Sequence, residues 1–595
     1  MLLSDYVIQF LADKGVRDVF LVSGGGIMYL LDSLARNPAV RYYCNYHEQA
    51  STVAAEGYAR VTNGVGVCLV TTGPGGANAL SAIPAAWVDS IPLLVVCGQV
   101  KQELIADYGK IRQMGPQEGN IVGMAAPVTK YAKSVRDPKT IRYELEYAWY
   151  QAVSGRPGPV LLELPLDVQG AHIDPETLAG FTAPAASREP VDGPVAQVLN
   201  EIRRARRPIL VCGNGIHRAR AQELLLAVLD KLKVPVVVPL TAKDVIAEDH
   251  PIYMGVFGVA GQRRANFAVQ NSDCLVAIGA GLNCQKVGFN IPGFAPRARK
   301  IIVDVDPAQL HYQVVRPDVA VDADAGEFLA EMLRQLEQGP HTSADDWLAA
   351  CENWRRRYPP VTPDYYAPSS YVNTYVFYDK LSEILGSDAL MVTGNALDTT
   401  SYFQAFRVKK GQRTTNSGWG AMGWCLPLAV GTCIGSGKRK TLCCTGDGSF
   451  QFNVQELLTI AHYRLPIRMF VLNNQGYSNI RATQNSFFER RYVGADAASG
   501  VGNPRFDLLA AAYGMRYSRI ATNDDIDDGV RAALSGDGPG ICEVNVSPEQ
   551  GIWPKASAFR RPDGTFESRP LEDMAPFLSR EELWENMHQF DEVPA

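Results

Sequence analysis

Residues 440–477 contain the clearest candidates for metal chemistry. An apolar run ends in Gly446-Asp447-Gly448, a helical pattern follows, and a second apolar run ends in Asn473-Asn474-Gln475-Gly476-Tyr477. The carboxyl ends of parallel strands face one crevice, so both motifs are expected at the same edge of a sheet. A carboxylate, an amide and a backbone carbonyl are oxygen ligands that suit Mg²⁺. Each motif alone is typical of a turn or loop, whereas the pair at strand ends predicts a metal site.

These strand ends belong to a larger pattern of short apolar runs that alternate with helical periodicity, which is typical of parallel α/β sheets. The runs form three groups of four: Asp18–Ser23, Gly66–Thr72, Pro92–Gly98 and Pro159–Leu164; Pro208–Gly213, Pro235–Pro239, Cys274–Gly279 and Lys300–Asp306; Ala389–Gly394, Lys440–Gly446, Ile467–Asn473 and Gly540–Val546. We therefore predict an α/β fold with three doubly wound parallel-sheet domains.

The expected domains cover residues 1–172, 190–338 and 369–548. Stretches Thr182–Pro194 and Gly339–Pro368 are predicted as linkers because of their Pro-rich or polar composition. Residues 549–595 form a polar tail that carries large apolar side chains. Such a tail could fold over a site as a lid or pack on the surface as an extension, and both alternatives stay open.

The pair of motifs in residues 440–477 resembles the diphosphate-binding motif of the thiamine diphosphate enzymes, in which GDG is followed some two dozen residues later by NN. This resemblance implies that Asp447 and Asn474 bind Mg²⁺ through their side chains and Gly476 through its carbonyl, with the metal bridging to the cofactor diphosphate. It also implies a pyrimidine-binding first domain, a nucleotide-binding-like middle domain and a diphosphate-binding third domain.

The resemblance requires a glutamate in the first domain, and Glu48 follows the apolar run Val40–Asn45 just before a helical pattern. In an unrelated protein a glutamate at a helix start would be a partner of the helix dipole. Here the resemblance implies an acid–base role: a carboxyl group hydrogen-bonded to pyrimidine N1′ favours the imino tautomer, whose 4′-nitrogen can take the thiazolium C2 proton.

The remaining cofactor contacts are expected from loops of the third domain. Met422, in the segment Gly418–Trp424, matches the bulky residue that holds the cofactor bent, and the Gly420 backbone would meet the pyrimidine edge. A methionine between glycines would otherwise be ordinary core filling. Strand-to-helix turns commonly supply hydrogen-bond donors to phosphate groups. The further residues predicted to contact the cofactor at such turns are Gly394, Asn395, Ala396, Gly448, Ser449 and Tyr477.

Over nearly its whole length the chain is similar to the acetolactate synthase branch of this family. The matching blocks are Ser23–Gly26, Thr72–Gly76, Pro127–Lys130, Gly155–Pro159 and Asp304–Pro307. The similarity implies that Gln117 lies in the pocket near the reactive carbon of the cofactor. The alternative is that Gln117 is an ordinary exposed glutamine in a loop.

Two departures separate the chain from that branch. Thr483, in the run Ile480–Gln484, stands where the branch has a tryptophan that favours 2-ketobutyrate as acceptor, so a larger or hydroxylated acceptor is expected to fit better. The motifs Asn474–Ser478 and Gly494–Asp496 resemble acetolactate synthase-like proteins of bacterial sugar and polysaccharide pathways, some of which transfer a two-carbon unit from pyruvate to a keto sugar. The FAD motif Gly-x-Arg-Phe-Asp-Asp-Arg is replaced by Gly279–Gln285, without either arginine.

The rest of the nucleotide pattern in the middle domain survives that second departure. The FAD contacts it predicts are Gly213, Gly215, Gly279, Asp304 and Asp324. A bare Gly-x-Gly is weak evidence, so FAD as a structural cofactor and an empty scaffold are both expectations.

The resemblance implies a carboligase that depends on thiamine diphosphate and Mg²⁺. It would decarboxylate a 2-oxo acid, with pyruvate as the expected donor, and transfer the two-carbon unit to a carbonyl acceptor. The alternatives are a 2-oxo acid decarboxylase, a flavin-linked pyruvate oxidase and a catalytically silent nucleotide-binding subunit. In this family the cofactor lies between the first domain of one subunit and the third domain of its partner. A homodimer or homotetramer is therefore expected.

Composition excludes several other classes of protein. With 46% hydrophobic and 20% charged residues among 595, the chain can bury a large core and is not a disordered protein. Its net charge of −6 and lack of a basic run argue against a nucleic-acid partner. Neither a secretory signal nor a long apolar segment is apparent, and the cysteines lack C-x-x-C spacing. We expect a cytoplasmic protein without a membrane partner.

Overall fold

The computed structural model describes residues 1–185, 189–339 and 343–590, so three residues of each predicted linker lie outside the described part. The described residues form three parallel sheets of six strands each, which confirms the predicted fold class. The strands are β1 Asp18–Leu21, β2 Arg41–Cys44, β3 Gly66–Val70, β4 Leu93–Gln99, β5 Tyr131–Ser134 and β6 Pro159–Pro165; β7 Pro208–Cys212, β8 Val236–Val238, β9 Tyr253–Val256, β10 Cys274–Ile278, β11 Arg299–Asp304 and β12 Val319–Asp322; β13 Leu390–Thr393, β14 Arg413–Thr415, β15 Thr441–Gly446, β16 Ile467–Asn473, β17 Arg516–Ile520 and β18 Gly540–Asn545.

The strand orders are β2-β1-β3-β4-β6-β5, β12-β11-β10-β7-β8-β9 and β14-β13-β15-β16-β18-β17. The twelve apolar runs read from the sequence are the four central strands of each sheet. Central strands are covered on both faces and need continuous apolar residues. Four of the six edge strands are more exposed: β2, β5 and β17 each contain exposed residues, and β12 alternates buried and exposed positions.

Helices cover both faces of each sheet. They are α1 Leu3–Asp13, α2 Met28–Arg36, α3 Glu48–Thr62, α4 Pro74–Leu80, α5 Ile83–Val88, α6 Ile121–Ala125, α7 Ile141–Val153 and α8 Leu166–Gln169; α9 Asp192–Arg204, α10 Gly215–Arg218, α11 Gln222–Leu232, α12 Arg263–Asn271, α13 Cys284–Val287, α14 Pro307–Tyr312, α15 Ala325–Gln338 and α16 Asp345–Arg357; α17 Thr374–Ile384, α18 Ala396–Ala405, α19 Cys425–Gly435, α20 Asp447–Phe450, α21 Glu456–His462, α22 Ser478–Phe487, α23 Phe506–Ala512 and α24 Ile526–Leu534. Among the described helices, none has both the length and the apolar character needed to cross a bilayer.

The second predicted linker contains α16, which contradicts its interpretation as a loose connection. Trp347 and Trp354 are seven residues apart and therefore face the same side of this helix, and both are fully buried. Their indole N–H groups donate to the Pro208 carbonyl at 2.9 Å and to Asn586 Oδ1 at 2.8 Å. The stretch is polar in composition because the polar residues of α16 occupy its solvent face, and this composition led to its prediction as a linker.

The tail contains two short strand pairs and a helix. They are β19 Lys555–Ala556 with β22 Met574–Ala575, β20 Ala558–Arg560 with β21 Phe566–Ser568, and α25 Arg580–His588. Much of the tail is bound to α12: Asn266 donates to the Leu571 carbonyl at 3.0 Å and Asn271 to the Asn586 carbonyl at 3.1 Å. The β20–β21 hairpin reaches α22, where the rings of Phe566 and Phe487 meet edge to face at 5.0 Å.

The N-terminal and C-terminal sheets share one apolar core through α3 and α19. A Cβ atom on Gly57 would lie 2.3 Å from the Leu428 carbonyl oxygen, and one on Gly431 would lie 1.8 Å from that of Ala54. The two helices therefore touch through their backbones, an approach that larger residues would prevent. Residues of both units join one buried cluster around this crossing.

We predict that Gly431→Ala lowers the unfolding temperature measured by calorimetry, because overpacking a tight contact costs about 1–3 kcal/mol. The matched control is Gly193→Ala in α9, where an added Cβ would meet open space. The control should be neutral or stabilising, since alanine favours helix over glycine by about 1 kcal/mol. Equal unfolding temperatures for both variants would contradict the proposed backbone contact.

Candidate active site

Asp447 lies where β15 ends and α20 begins, beside the end of the adjacent parallel strand β16. Its side chain is buried. Oδ1 accepts from the Gly448 amide at 2.7 Å, while Oδ2 accepts from the Gly476 amide at 2.9 Å and from Asn503 Nδ2. Burial raises the pKa of Asp447, and these N–H donors oppose that rise. Within the described residues this carboxylate forms no ion pair, so its only partners are neutral donors.

Asn474 and Gly476 lie in the loop after β16, and the Gly476 amide contacts Asp447. The φ of Gly476 is +135°, and a Cβ atom there would lie 2.2 Å from the Ala495 carbonyl oxygen, so glycine is required. Beneath the loop, the buried Arg481 side chain donates to the carbonyls of Asn474 at 2.7 Å, Gln475 at 3.1 Å and Ala495 at 3.3 Å. One guanidinium thus holds the backbone of the predicted metal loop.

The predicted diphosphate contacts meet around the same strand ends. Ser449 Oγ accepts from the Gly423 amide at 2.9 Å, and Asn395 Nδ2 donates to the Gly420 carbonyl at 3.3 Å. These bonds join α20 and the start of α18 to the segment that carries Met422. Some predicted cofactor residues make these hydrogen bonds and the others are their neighbours in the chain. Together they are Gly394, Asn395, Ala396, Gly420, Met422, Gly448 and Ser449.

Tyr477 and Asp398 complete the walls of this region. The Tyr477 ring covers Gly448, where a Cβ atom would lie 2.2 Å from Cε1 of the ring. Asp398 Oδ2 accepts from the Gly394 amide at 3.0 Å, and burial raises the pKa of Asp398 well above its usual range. Asp398 therefore orients the Gly394 turn from below.

Glu48 and Gln117 are brought together by α4 in the N-terminal sheet. Glu48 is the first residue of α3, and its Oε2 accepts from Asn78 Nδ2 at 2.9 Å. The Gln117 carbonyl packs against Gly73, the residue immediately before α4. Gln117 has an exposed side chain and a φ of +58°. The loop that presents it is held by the buried Glu118 carboxylate, which accepts from the Ala106 amide at 3.0 Å.

One side chain links the start of α3 to the segment that carries Met422 within a single chain. Asn453 Nδ2 donates to the Gly423 carbonyl at 2.9 Å and to Gln49 Oε1 at 3.3 Å. Gly423 follows Met422 and Gln49 follows Glu48, so the bridge connects the residues next to the predicted wedge and the predicted acid. The contact depends on the crossing of α3 and α19.

The predicted nucleotide residues line a separate cavity of about 570 Å³ at the edge of the middle sheet. Gly215, Gly279, Asp304 and Asp324 all line it, whereas Gly213 lies behind the Gly279 carbonyl. Asp324 already caps α15 by accepting from the Gly326 amide at 2.8 Å. The cations of the lining are Arg156, Arg218 and Lys286, and burial lowers the pKa of Lys286 to about 8.

Three polar residues of the site were missed in the sequence because they belong to no recognised motif. Asn503 contacts Asp447, Asn78 contacts Glu48, and Asn453 joins the Gly423 carbonyl to Gln49. Each is an isolated asparagine in a helix or loop pattern, so its type and spacing carry no signal. Among the described residues, no group of three or more His, Cys, Asp or Glu could hold a metal ion.

Three family models match the chain in order. They are the N-terminal thiamine pyrophosphate (TPP) binding domain of thiamine pyrophosphate enzymes at residues 1–124, the central domain at 195–332 and the C-terminal TPP binding domain at 394–544. Each match contains most of one of the three sheets, and the first and third contain the two halves of the candidate site.

Curated relatives match over almost the whole chain. The acetolactate synthase large subunit of Cyanidium caldarium is 32% identical over 562 residues, which are 92% of this chain and 94% of that protein. The acetolactate synthase isozyme 2 large subunit of Escherichia coli is 31% identical over 96% of this chain and 100% of its own length. The acetolactate synthase large subunit of Corynebacterium glutamicum is 31% identical over 93% of this chain and 88% of its own length.

We predict that Arg481→Met exposes the metal loop to solvent exchange even without a ligand. Losing charge-assisted hydrogen bonds worth about 1.5–3 kcal/mol should speed amide exchange at Gly476 and Tyr477 at least about tenfold. Hydrogen–deuterium exchange with mass spectrometry measures this change. Arg334→Met, which breaks an exposed pair with Glu331 on α15, is the control and should leave the loop unaffected.

Proposed function

This chain belongs to the thiamine pyrophosphate enzymes, in their acetolactate synthase-like branch, and on that premise we propose a carboligase that uses thiamine diphosphate and Mg²⁺ to decarboxylate pyruvate and transfer the two-carbon unit to a carbonyl acceptor. The observation that carries this proposal is the buried Asp447 carboxylate, which has three N–H donors and no ion pair among the described residues. A divalent cation would supply the missing positive charge.

The residues around Asp447 fit a magnesium ion bound to a diphosphate. We assign Asp447 and Asn474 as side-chain ligands and Gly476 as a carbonyl ligand, a set of three oxygens that leaves other positions for water and phosphate. Asn503 would hold the Asp447 carboxylate in place by its hydrogen bond to Oδ2. Arg481 would hold the backbone that carries the other two ligands.

Bound thiamine diphosphate supplies a nucleophilic carbon and an electron sink for the charge left when CO₂ departs. In our assignment Glu48 holds a proton at the pyrimidine N1′, and Asn78 fixes the orientation of its carboxyl group. Met422 supports the bent form of the cofactor, and the Gly420 carbonyl is held by Asn395. The diphosphate contacts are Gly394, Asn395, Ala396, Gly448 and Ser449, with Tyr477 beside them. Gln117 faces the substrate from its loop.

The middle cavity is proposed as the site of FAD, in a structural role. Its volume lies in the range of ligand pockets, and its lining offers cations for a diphosphate together with backbone at strand ends. The contacts assigned to FAD are Gly213, Gly215, Gly279, Asp304 and Asp324. The capping role of Asp324 explains that residue without a ligand, so FAD must be tested by the visible spectrum of the purified protein.

The assembly and limits of the units are further parts of the proposal. We propose a homodimer or homotetramer, with domains at 1–172, 190–338 and 369–548 and no nucleic-acid or membrane partner. Gel filtration that finds an active monomer would contradict the assembly.

The tail hairpin β20–β21 is the part of residues 549–595 proposed as a lid, because Phe566 contacts α22, which also carries Thr483.

Product analysis tests the function. The purified protein, thiamine diphosphate, Mg²⁺ and labelled pyruvate are incubated with a panel of aldehydes, 2-oxo acids and keto sugars, and mass spectrometry identifies the products. A hydroxyketone that contains the label is expected. Free aldehyde would indicate a decarboxylase, and hydrogen peroxide a flavin-linked oxidase. Omission of Mg²⁺ in the presence of chelator should abolish turnover.

Glu48→Gln is expected to lower product formation by about 10²–10⁴-fold, because the amide cannot deliver a proton to the pyrimidine. Thiamine diphosphate binding, followed by tryptophan fluorescence, should change little. A Glu48→Gln variant that keeps most of its activity would show that another group performs the acid–base step.

Thr483→Trp tests the acceptor preference. Thr483 is exposed on α22, and its hydroxyl donates only to the Asn479 carbonyl of the same helix at 2.9 Å. An indole at this position should reduce kcat/KM for keto sugars and other large acceptors by about 10–200-fold relative to 2-ketobutyrate. Ala482→Trp, about 100° around the helix, is the control. Equal effects of the two variants would remove Thr483 from the acceptor pocket.

A further inference from the structure

The middle cavity of about 570 Å³ lies where the strand order of the second sheet reverses. The chain runs from β7 to β8 and β9 on one side and returns to β10, β11 and β12 on the other, so β7 and β10 are neighbours. Asn214 and Gly215 after β7, and residues 279–283 after β10, line the cavity. In open parallel sheets this crevice beyond the carboxyl ends of the strands is a common place for nucleotides to bind. The fold therefore favours a nucleotide as the ligand class.

Two of the three cations in the described lining of the cavity are engaged by the protein itself. Arg156 donates to Ser90 Oγ at 2.7 Å and to Asp306 Oδ2 at 3.4 Å. Lys286 Nζ donates to the Gly281 carbonyl. A ligand would have to compete with these partners for either side chain.

Arg218, the third cation, is less well satisfied. Its Nη2 donates to the Arg60 carbonyl at 3.4 Å, which is longer than a typical hydrogen bond. Its Nε is buried and has no hydrogen-bond partner, and the side chain forms no ion pair within the part of the chain that the structure describes. Burial lowers the pKa of Arg218 to about 9, and the positive charges of Arg60 and Arg413 lower it further.

The carboxylates that oppose this fall in pKa, Asp244 and Asp89, are held by other groups. Asp244 Oδ2 accepts from the Thr414 amide at 3.0 Å, and Asp89 Oδ2 accepts from the Gly418 amide at 2.7 Å. Each also forms an ion pair with a different arginine. Arg218 is therefore a largely buried cation without an anion, which is unfavourable in the protein alone and suits a charged ligand.

Arg218 also borders a second cavity, of about 380 Å³, on the N-terminal unit. The lining of that cavity includes Val16, Val65 and Pro92, which precede β1, β3 and β4. Ligands of parallel sheets bind beyond the carboxyl ends of the strands and not before their starts. The middle cavity is therefore the one that fits a ligand of Arg218.

We propose that Arg218 binds the phosphate groups of a nucleotide in the middle cavity and takes the place of the two arginines that are absent from Gly279–Gln285. The ligand chemistry is a nucleoside diphosphate, the part that ADP and FAD share. A planar guanidinium can donate to two phosphate oxygens at once. The proposal rests on the proposed function only in taking the middle cavity as a nucleotide site, and it adds a residue that was not among the FAD contacts.

Arg218→Met removes the charge, and Arg220→Met is the matched control. Arg220 Nη2 donates to the Asn63 carbonyl at 3.1 Å, so each variant loses one hydrogen bond to a backbone carbonyl of the N-terminal unit. Arg220 stands outside the described lining of the middle cavity. Arg218→Lys keeps the positive charge but lacks the planar group that binds two oxygens.

Isothermal titration calorimetry on protein freed of bound nucleotide measures the Kd of ADP, FAD and adenosine. Arg218→Met should weaken ADP binding by about tenfold to hundredfold, because a hydrogen bond to a charged group contributes on that scale. Arg218→Lys should lie between, and Arg220→Met should match the wild type. Adenosine lacks the phosphates, so its affinity should change less than about threefold in every variant. Equal ADP affinity in Arg218→Met and the wild type would overturn the proposal, as would a wild type that binds neither ADP nor FAD.

The two nucleotides separate this proposal from the assignment of FAD. Binding of ADP but not FAD, with the expected loss in Arg218→Met, would remove FAD from the proposed function and support the role of Arg218. Binding of both nucleotides with equal affinity to the wild type and Arg218→Met would leave the cavity as a nucleotide site and overturn the role of Arg218. Neither result depends on the carboligase assay.

Thermal unfolding of the nucleotide-free protein gives a second measurement. Because the charge of Arg218 lacks an anion, Arg218→Met should unfold at the same or a higher temperature than Arg220→Met. Saturating ADP should raise the unfolding temperature of the wild type and Arg220→Met more than that of Arg218→Met. A nucleotide-free Arg218→Met that unfolds at a lower temperature than Arg220→Met, with an equal response to ADP, would show a structural role and overturn the proposal.

Discussion

The backbone contact between α3 and α19 is the constraint on which the rest of the site depends. Gly57 and Gly431 let the two helices approach until carbonyl oxygens lie where side chains would otherwise be. That approach merges the cores of the N-terminal and C-terminal sheets within one chain. Polar contacts cross the same junction: Asn453 donates to Gln49, the Gly418 amide to Asp89, and the Trp424 indole to Glu56.

Burying charged groups in the protein interior is unfavourable, and the buried carboxylates of the two sheet units differ in the partners that compensate for it. Asp447 is buried with neutral donors only, whereas Glu56 and Asp89 share an ion pair with Arg60. A carboxylate without a cation is suited to receive one, and paired carboxylates are suited to hold a structure. This difference in pairing distinguishes the carboxylate proposed to bind metal from the carboxylates of the ion-paired cluster.

The central strands and the chief site motifs could be predicted because each depends on local sequence. A strand covered by helices on both faces needs an unbroken apolar run, and Gly446-Asp447-Gly448 marks a turn that only a few residue types allow. Edge strands such as β2 and β17 carry exposed polar residues and give no such run. The helix α16 was taken for a linker because charged residues at both of its ends make the whole stretch polar in composition. Asn503, Asn78 and Asn453 gave no signal, since a single asparagine acquires a role only from its neighbours in space.

The sequence by itself determined the fold class, the family and the residues whose types permit metal and acid–base chemistry, because these follow from periodicity and from short motifs. The tertiary structure decided which of those residues meet. It brought Gln49 and Gly423 to the same asparagine and placed Arg60 between Glu56 and Asp89. It also showed that Arg481, which the sequence offered only as part of an altered specificity region, donates to the carbonyls of Asn474 and Gln475 in the loop predicted to bind metal. The hydrogen bond from Asn453 to Gln49 joins residues 404 positions apart, and it exists only once burial of the shared core has fixed the helices against each other.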